Sequence, residues 1–143
     1  EELVHGYTYS GHPVASAVAL KNLEVMENLK LVPRVKNEIG PYLQRRLRET
    51  FAGHPIVGEV RGIGLLAAIE LVPNPKKRAF FSDVGSVGTL CRNYCFGSGL
   101  VSRAIRDTMV LAPPLIVSES EIEEMIAKLK AAIDNTARDL KKT

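Results

Sequence analysis

Hydroxyls, imidazoles and glycines crowd into His5-Gly6-Tyr7-Thr8-Tyr9-Ser10-Gly11-His12-Pro13. Proline is favoured at the first position of a helix, where its missing N–H would go unpaired anyway, so this loop feeds a helix N-terminus. Backbone N–H groups and the helix dipole converge there and favour a bound anion. Simple N-capping accounts for the same residues, and on spacing alone it is the stronger reading. Arg103 is the second candidate. It closes a short apolar run from Leu100, ahead of Ala104 and Ile105. A guanidinium in that place must find a carboxylate or phosphate, or reach solvent. A structural salt bridge, for example to Asp107, is the ordinary explanation.

Other reactive residues point to no chemistry. Cys91 and Cys95 lie four apart, on one face of a helix, and without a CxxC or a second ligand pair they read as buried reduced thiols. His5, His12 and His54 fall in loop-like segments with no carboxylate or cysteine at metal spacing, which favours hydrogen-bonded or surface histidine. Gly62-Ile63-Gly64 stops short of a GxGxxG, and there is no P-loop, GxSxG or HExxH. The net charge of +3 comes from scattered Lys and Arg with only 6% aromatic residues, a balance that argues against nucleic-acid binding. No apolar run approaches the ~20 residues of a membrane span, and Glu1 and Glu2 are acidic where a signal peptide is basic. A cytoplasmic location is expected, and the lack of an initiating Met suggests chain upstream.

The elements that position these residues follow from periodicity. A helix is predicted from Pro13 to Leu29, its first half apolar nearly all round and so calling for burial on several sides. Val32, Val35, Ile39, Leu43, Leu47 and Phe51 step by three or four, which gives a second amphipathic helix with a kink or break at Gly40-Pro41. Two strands are expected between Ile56 and Val72, the longer from Gly64 to Leu71 and apolar enough to be covered on both faces. A third helix spans Val84 to Phe96, and short strands at Leu100 to Arg103 and Met109 to Ala112 flank the turn at Arg106-Asp107-Thr108. Ser118 and Glu121 form a capping box for a final helix whose apolar face runs from Ile122 to Leu140. The sum is a two-layer α/β domain of the α+β kind.

Three segments, in this order, resemble the C-terminal part of one family. HGYTYSGHPVASAVALKNLEVM (His5 to Met26), VRGIGLLAAIELV (Val60 to Val72) and GLVSRAIRDTMVLAPPLIVSESEIEEM (Gly99 to Met125) are similar to segments of class III aminotransferases of the amine:pyruvate, or omega-transaminase, type. The resemblance implies the small C-terminal domain of a fold-type I enzyme that depends on pyridoxal 5'-phosphate (PLP), with a mostly antiparallel sheet and helices packed on it. Residues 1–30 would be an interface loop and linking helix after a large PLP domain, and residues 31–143 the small domain.

The same resemblance assigns roles. Thr8 matches the residue that donates its hydroxyl and backbone N–H to the cofactor phosphate of the neighbouring subunit, with Tyr7 beside it, and so implies a homodimer. Arg103 matches the mobile arginine that pairs with a substrate carboxylate. The family often shows glycine where this chain has Arg106. The implied reaction moves an amino group between an amine or omega-amino acid and a keto acid such as pyruvate. The Schiff-base lysine is expected upstream of Glu1, so no catalytic residue falls in this chain and the piece alone should be inactive. The alternatives are a non-catalytic binding or dimerisation module, or a related fold-type I PLP enzyme such as an aminomutase or decarboxylase.

Overall fold

The computed structural model describes residues 6–77 and 79–142; His5 and Arg78 lie outside the described residues. Helix α1 spans Pro13–Asn28, with Pro13 in its first turn as the sequence predicts. None of its residues is buried, although Val14, Val18, Leu20 and Leu23 line it. Burial begins at Leu31, which opens a short helix α2, Leu31–Arg34.

A π-helical turn, Val35–Ile39, then leads directly into α3, Gly40–Phe51. The sequence predicts a kink or break here, and the structure resolves the conflict by widening one turn. The N–H of Gly40 reaches back five residues to the carbonyl of Val35. Pro41 follows with no N–H to donate, and the extra residue absorbs the irregularity without ending the rod. Gly40 has a second function. A Cβ there would lie 2.8 Å from the Cα of Gly64, so the helix meets the hairpin backbone to backbone.

Four strands follow: β1 Val57–Ile63, β2 Leu66–Leu71, β3 Arg103–Ile105 and β4 Thr108–Leu111. They form one sheet in the order β1-β2-β4-β3, antiparallel throughout. Strand β3 begins at Arg103, where the sequence suggested that a strand ends. Leu100 is held instead by the end of helix α4, Ser86–Gly97, because its N–H bonds to the carbonyl of Cys95 at 2.9 Å. Helix α5, Glu119–Leu140, carries the expected reciprocal capping box between Ser118 and Glu121.

The core lies between the helices and one face of the sheet. Ile69, Leu71, Met109 and Leu111 project from β2 and β4 into a cluster with Leu43, Leu47 and Phe51 of α3, Cys91 and Cys95 of α4, and Ile122, Leu129 and Ile133 of α5. Both thiols are free and buried, as their spacing suggested. Hydrogen bonding to Cys95, together with burial, pushes the Cys91 thiol well above its usual range.

The second face of the sheet is open, which corrects the expectation that β2 is covered on both sides. Its outward positions are Leu66, exposed, and Ala68 and Glu70, half-buried, none of them packed under another layer. Cross-strand register places Arg61, Ala68, Val110 and Arg103 in one row on this face, and Glu59, Glu70, Thr108 and Ile105 in the next. Among the described residues no helix is long and apolar enough to cross a membrane.

Candidate functional site

The loop ahead of α1 is closed by its own groups. Tyr7 donates its N–H to Ser10 Oγ at 3.1 Å, and Ser10 and His12 donate theirs to the carbonyls of Tyr7 and Tyr9. Tyr9 (φ 69°) and Gly11 (φ 71°) both take left-handed backbone. The helix cap is His12, whose ring Nδ1 accepts the N–H of Ala15 at 3.3 Å. Capping therefore falls to an imidazole, and Thr8 takes no part in it. Thr8 is exposed, and among the described residues neither its hydroxyl nor its N–H has a hydrogen-bond partner. Two adjacent unsatisfied donors in an exposed turn suit a phosphate group brought by another body, so the residues present fit PLP at its phosphate end.

Arg103 stands on the other candidate surface. It is exposed at the start of β3, on the open face, and among the described residues its side chain makes no hydrogen bond or ion pair. The salt bridge to Asp107 that the sequence offered as the ordinary explanation is absent, because Asp107 is engaged elsewhere. Its Oδ2 accepts the N–H of Gly85 and its Oδ1 that of Gly88, both at 2.8 Å, and its carbonyl accepts the N–H of Leu71 at 2.8 Å. Arg106, at φ 52°, lacks a described partner as well. It borders a cleft of about 420 Å³ with Arg61, Glu70, Phe80, Ile105 and Thr108.

Charge on the open face is partly neutralised. Arg61 bridges Glu59 at 2.8 Å and Glu70 at 2.7 Å, and the Glu70 hydrogen bond raises the guanidinium above its ordinary value. Arg103 and Arg106 remain as unpaired cations. No described hydrogen bond or ion pair joins the Thr8 loop to Arg103, so the two candidate surfaces are separate, one on the loop before α1 and one on β3. Sequence reasoning missed the engagement of Asp107, whose partners stand 19 and 22 residues away. The glycines at 85 and 88 were the available signal. His54, read as a surface or hydrogen-bonded histidine, donates its Nε2–H to Asp134 Oδ1 at 3.0 Å. Among the described residues no His, Cys, Asp and Glu cluster could hold a metal.

Comparison with known proteins places these features in context. The family model described as Aminotransferase class-III matches residues 1–133. A putrescine–pyruvate aminotransferase of Pseudomonas aeruginosa is 52% identical over 136 residues, which cover 95% of this chain and 29% of that protein. A probable gamma-aminobutyrate transaminase 3 of Oryza sativa subsp. indica is 39% identical, over 92% of this chain and 26% of the relative. Among solved structures, the omega transaminase of Pseudomonas jessenii in complex with PMP superposes with a TM-score of 0.86 at 40% identity, covering 95% of this chain and 30% of that one. The chain thus spans under a third of the length of the relatives it matches.

Proposed function

Since the chain belongs to the class III aminotransferases, we propose that it forms the C-terminal part of a PLP-dependent transaminase acting between an amine or omega-amino acid and a keto acid such as pyruvate. The similarity to a putrescine–pyruvate aminotransferase supports that substrate class. Residues 1–30 supply the interface loop and linking helix, and residues 31–143 the small domain. The catalytic lysine belongs to the portion that precedes this chain in such an enzyme, so the chain by itself turns over no substrate.

Each part-site then has one task. PLP, when bound, supplies an electron sink for the carbon that exchanges the amino group. Thr8 donates its hydroxyl and N–H to the phosphate of a cofactor held by the neighbouring subunit of a homodimer, and Tyr7 flanks that contact. Arg103 receives the carboxylate of the keto acid through a planar, always charged fork, which allows two parallel hydrogen bonds. An amine donor without a carboxylate makes no use of it.

The observation that carries this reading is the Arg103 guanidinium, exposed and without a side-chain partner among the described residues, while Asp107, the carboxylate near it in sequence, is committed to two backbone N–H groups. In the full-length enzyme, Arg103→Ala is expected to lower kcat/KM for pyruvate by an amount equivalent to ~2 to 4 kcal/mol. The half-reaction of a carboxylate-free amine, followed by cofactor absorbance in single turnover, changes far less. Equal losses for both substrates would reduce Arg103 to a structural residue.

A further inference from the structure

We propose that Asp107 is the positioning residue of the carboxylate-binding arm: its buried carboxylate clamps the β3–β4 turn onto the N-terminus of α4 and so fixes where Arg103 stands. The proposal rests on the reading of Arg103 given above.

Helix α4 has a glycine, Gly85, at its N-cap, with no side chain of its own to cap it. The first N–H groups of a helix have no intrahelical acceptor, and here Asp107 serves two of them from a different element. It is 6% exposed, so the carboxylate is held out of water by those two N–H donors and by the positive end of the helix. The contact demands close approach. A Cβ on Gly88 would lie 2.0 Å from the carbonyl oxygen of Arg106, so only glycine lets the turn seat on the helix. Arg106 accepts a left-handed backbone, φ 52°, a conformation costly for a residue with a Cβ and retained where the surroundings over-determine it.

Arg103 depends on that clamp because, apart from Ala104 packed against the core, little else holds its strand. Strand β3 is three residues long, lies at the sheet edge and pairs only with β4. The Arg103 side chain has no partner of its own among the described residues. The position of its backbone is therefore set by register with Val110 and by the turn that Asp107 fastens to α4 and, through its carbonyl, to Leu71 of β2. A turn released from α4 lets the edge strand shift, and a displacement near 1 Å at a substrate contact is enough to cost about a hundredfold in rate.

The test uses the full-length holoenzyme and the ratio of kcat/KM for pyruvate to the single-turnover rate with putrescine, which has no carboxylate. Asp107→Asn keeps one acceptor oxygen and the side-chain shape, and is expected to lower that ratio about ten- to a hundredfold, chiefly through KM for pyruvate. Asp107→Ser, a smaller acceptor, gives the same reading should the Asn variant fold poorly. In an Arg103→Ala background the Asp107 substitution leaves the ratio unmoved. An Arg103→Ala enzyme with an unaltered ratio overturns the reading of Arg103. An altered ratio there, with none in the Asp107 variants or with an Asp107 effect that persists without Arg103, overturns the positioning role.

Discussion

A phosphate oxygen asks for donors that are not already spent. Thr8 offers two in adjacent positions, its hydroxyl and its N–H, whereas the neighbouring Tyr7 N–H is already given to Ser10 Oγ. In the full-length transaminase, Thr8→Ala removes one charge-assisted bond and should weaken PLP binding by about 1.5 to 3 kcal/mol, roughly ten- to a hundredfold. Thr8→Ser should keep most of it, and cofactor release measured by absorbance distinguishes the two. The melting temperature of the apoprotein stays put, since Thr8 bonds to nothing in its own chain among the described residues. Arg106 gives a test of backbone rather than of binding. A left-handed conformation costs a residue with a Cβ about 1–2 kcal/mol, more than the ~0.4–1 kcal/mol that glycine loses through its freer unfolded chain. Arg106→Gly should therefore be more stable than Arg106→Ala in urea unfolding, by about 1 kcal/mol. This strain also accounts for the glycine that the family often places there. The sequence pointed to Thr8 and Arg103 through their resemblance to known segments. It gave no hint that His12 is the cap, because a ring nitrogen caps less commonly than the hydroxyls around it.

Periodicity was informative wherever an element is held by its own apolar face. Helix α5 and its capping box follow directly from Ser118, Glu121 and the Ile122–Ile126–Leu129–Ile133 stripe, and α3 from Leu43, Leu47 and Phe51. What periodicity missed was set by contacts between elements. The π-helical turn exists where Gly40 meets Gly64, a tertiary approach that no local pattern encodes. In an exposed helix Gly→Ala is worth up to ~1 kcal/mol of added stability. Gly40→Ala should do the reverse, because the new methyl would lie 2.3 Å from the Val35 carbonyl oxygen and 2.8 Å from Gly64 Cα; overpacking of this kind costs ~1–3 kcal/mol. A higher urea midpoint in the alanine variant would refute the close approach. Beside the apolar core they share, α3 and α5 are joined by an electrostatic link. Arg46 donates Nε and Nη2 to the two oxygens of Glu123, and Tyr42 donates its hydroxyl to one of them. The Arg46 hydrogen bonds, followed by that of Tyr42, hold the Glu123 carboxyl down to about 2, from 4.5. A carboxylate lowered on folding adds stability above its unfolded value and loses it as pH falls toward the folded one. Glu123→Gln should therefore melt below the parent at neutral pH, with the gap closing between about 4.5 and 2.

At the scale of the whole molecule, the chain divides between a part that packs and a part that does not. From Leu31 onward, helices and one sheet face enclose a continuous core, while α1 has no buried residue and exposes Val14, Val18, Leu20, Leu23 and Val25. This contrast supports the proposed division between residues 1–30 and 31–143. It was only half legible in the sequence: the all-round apolar character of α1 called for burial on several sides, this chain supplies none of it, and nothing local says whether a covering surface belongs to the same chain. Burying one Leu or Val side chain is worth about 1.5–3 kcal/mol, and α1 leaves that unrealised at each of these positions. A lone helix of 16 residues is marginal in water. In the proposed enzyme, the surfaces of the large domain and the partner subunit supply the missing contact. Hydrogen exchange distinguishes the two settings. In this chain alone, at low concentration, amides of α1 should exchange almost as in an unfolded peptide while those around Ile122, Leu129 and Ile133 stay protected. In the full-length dimer, α1 should approach the protection of α5. Equal protection of α1 and α5 in the dilute chain would mean that α1 is stable without any covering surface, and the linking role proposed for residues 1–30 would fall.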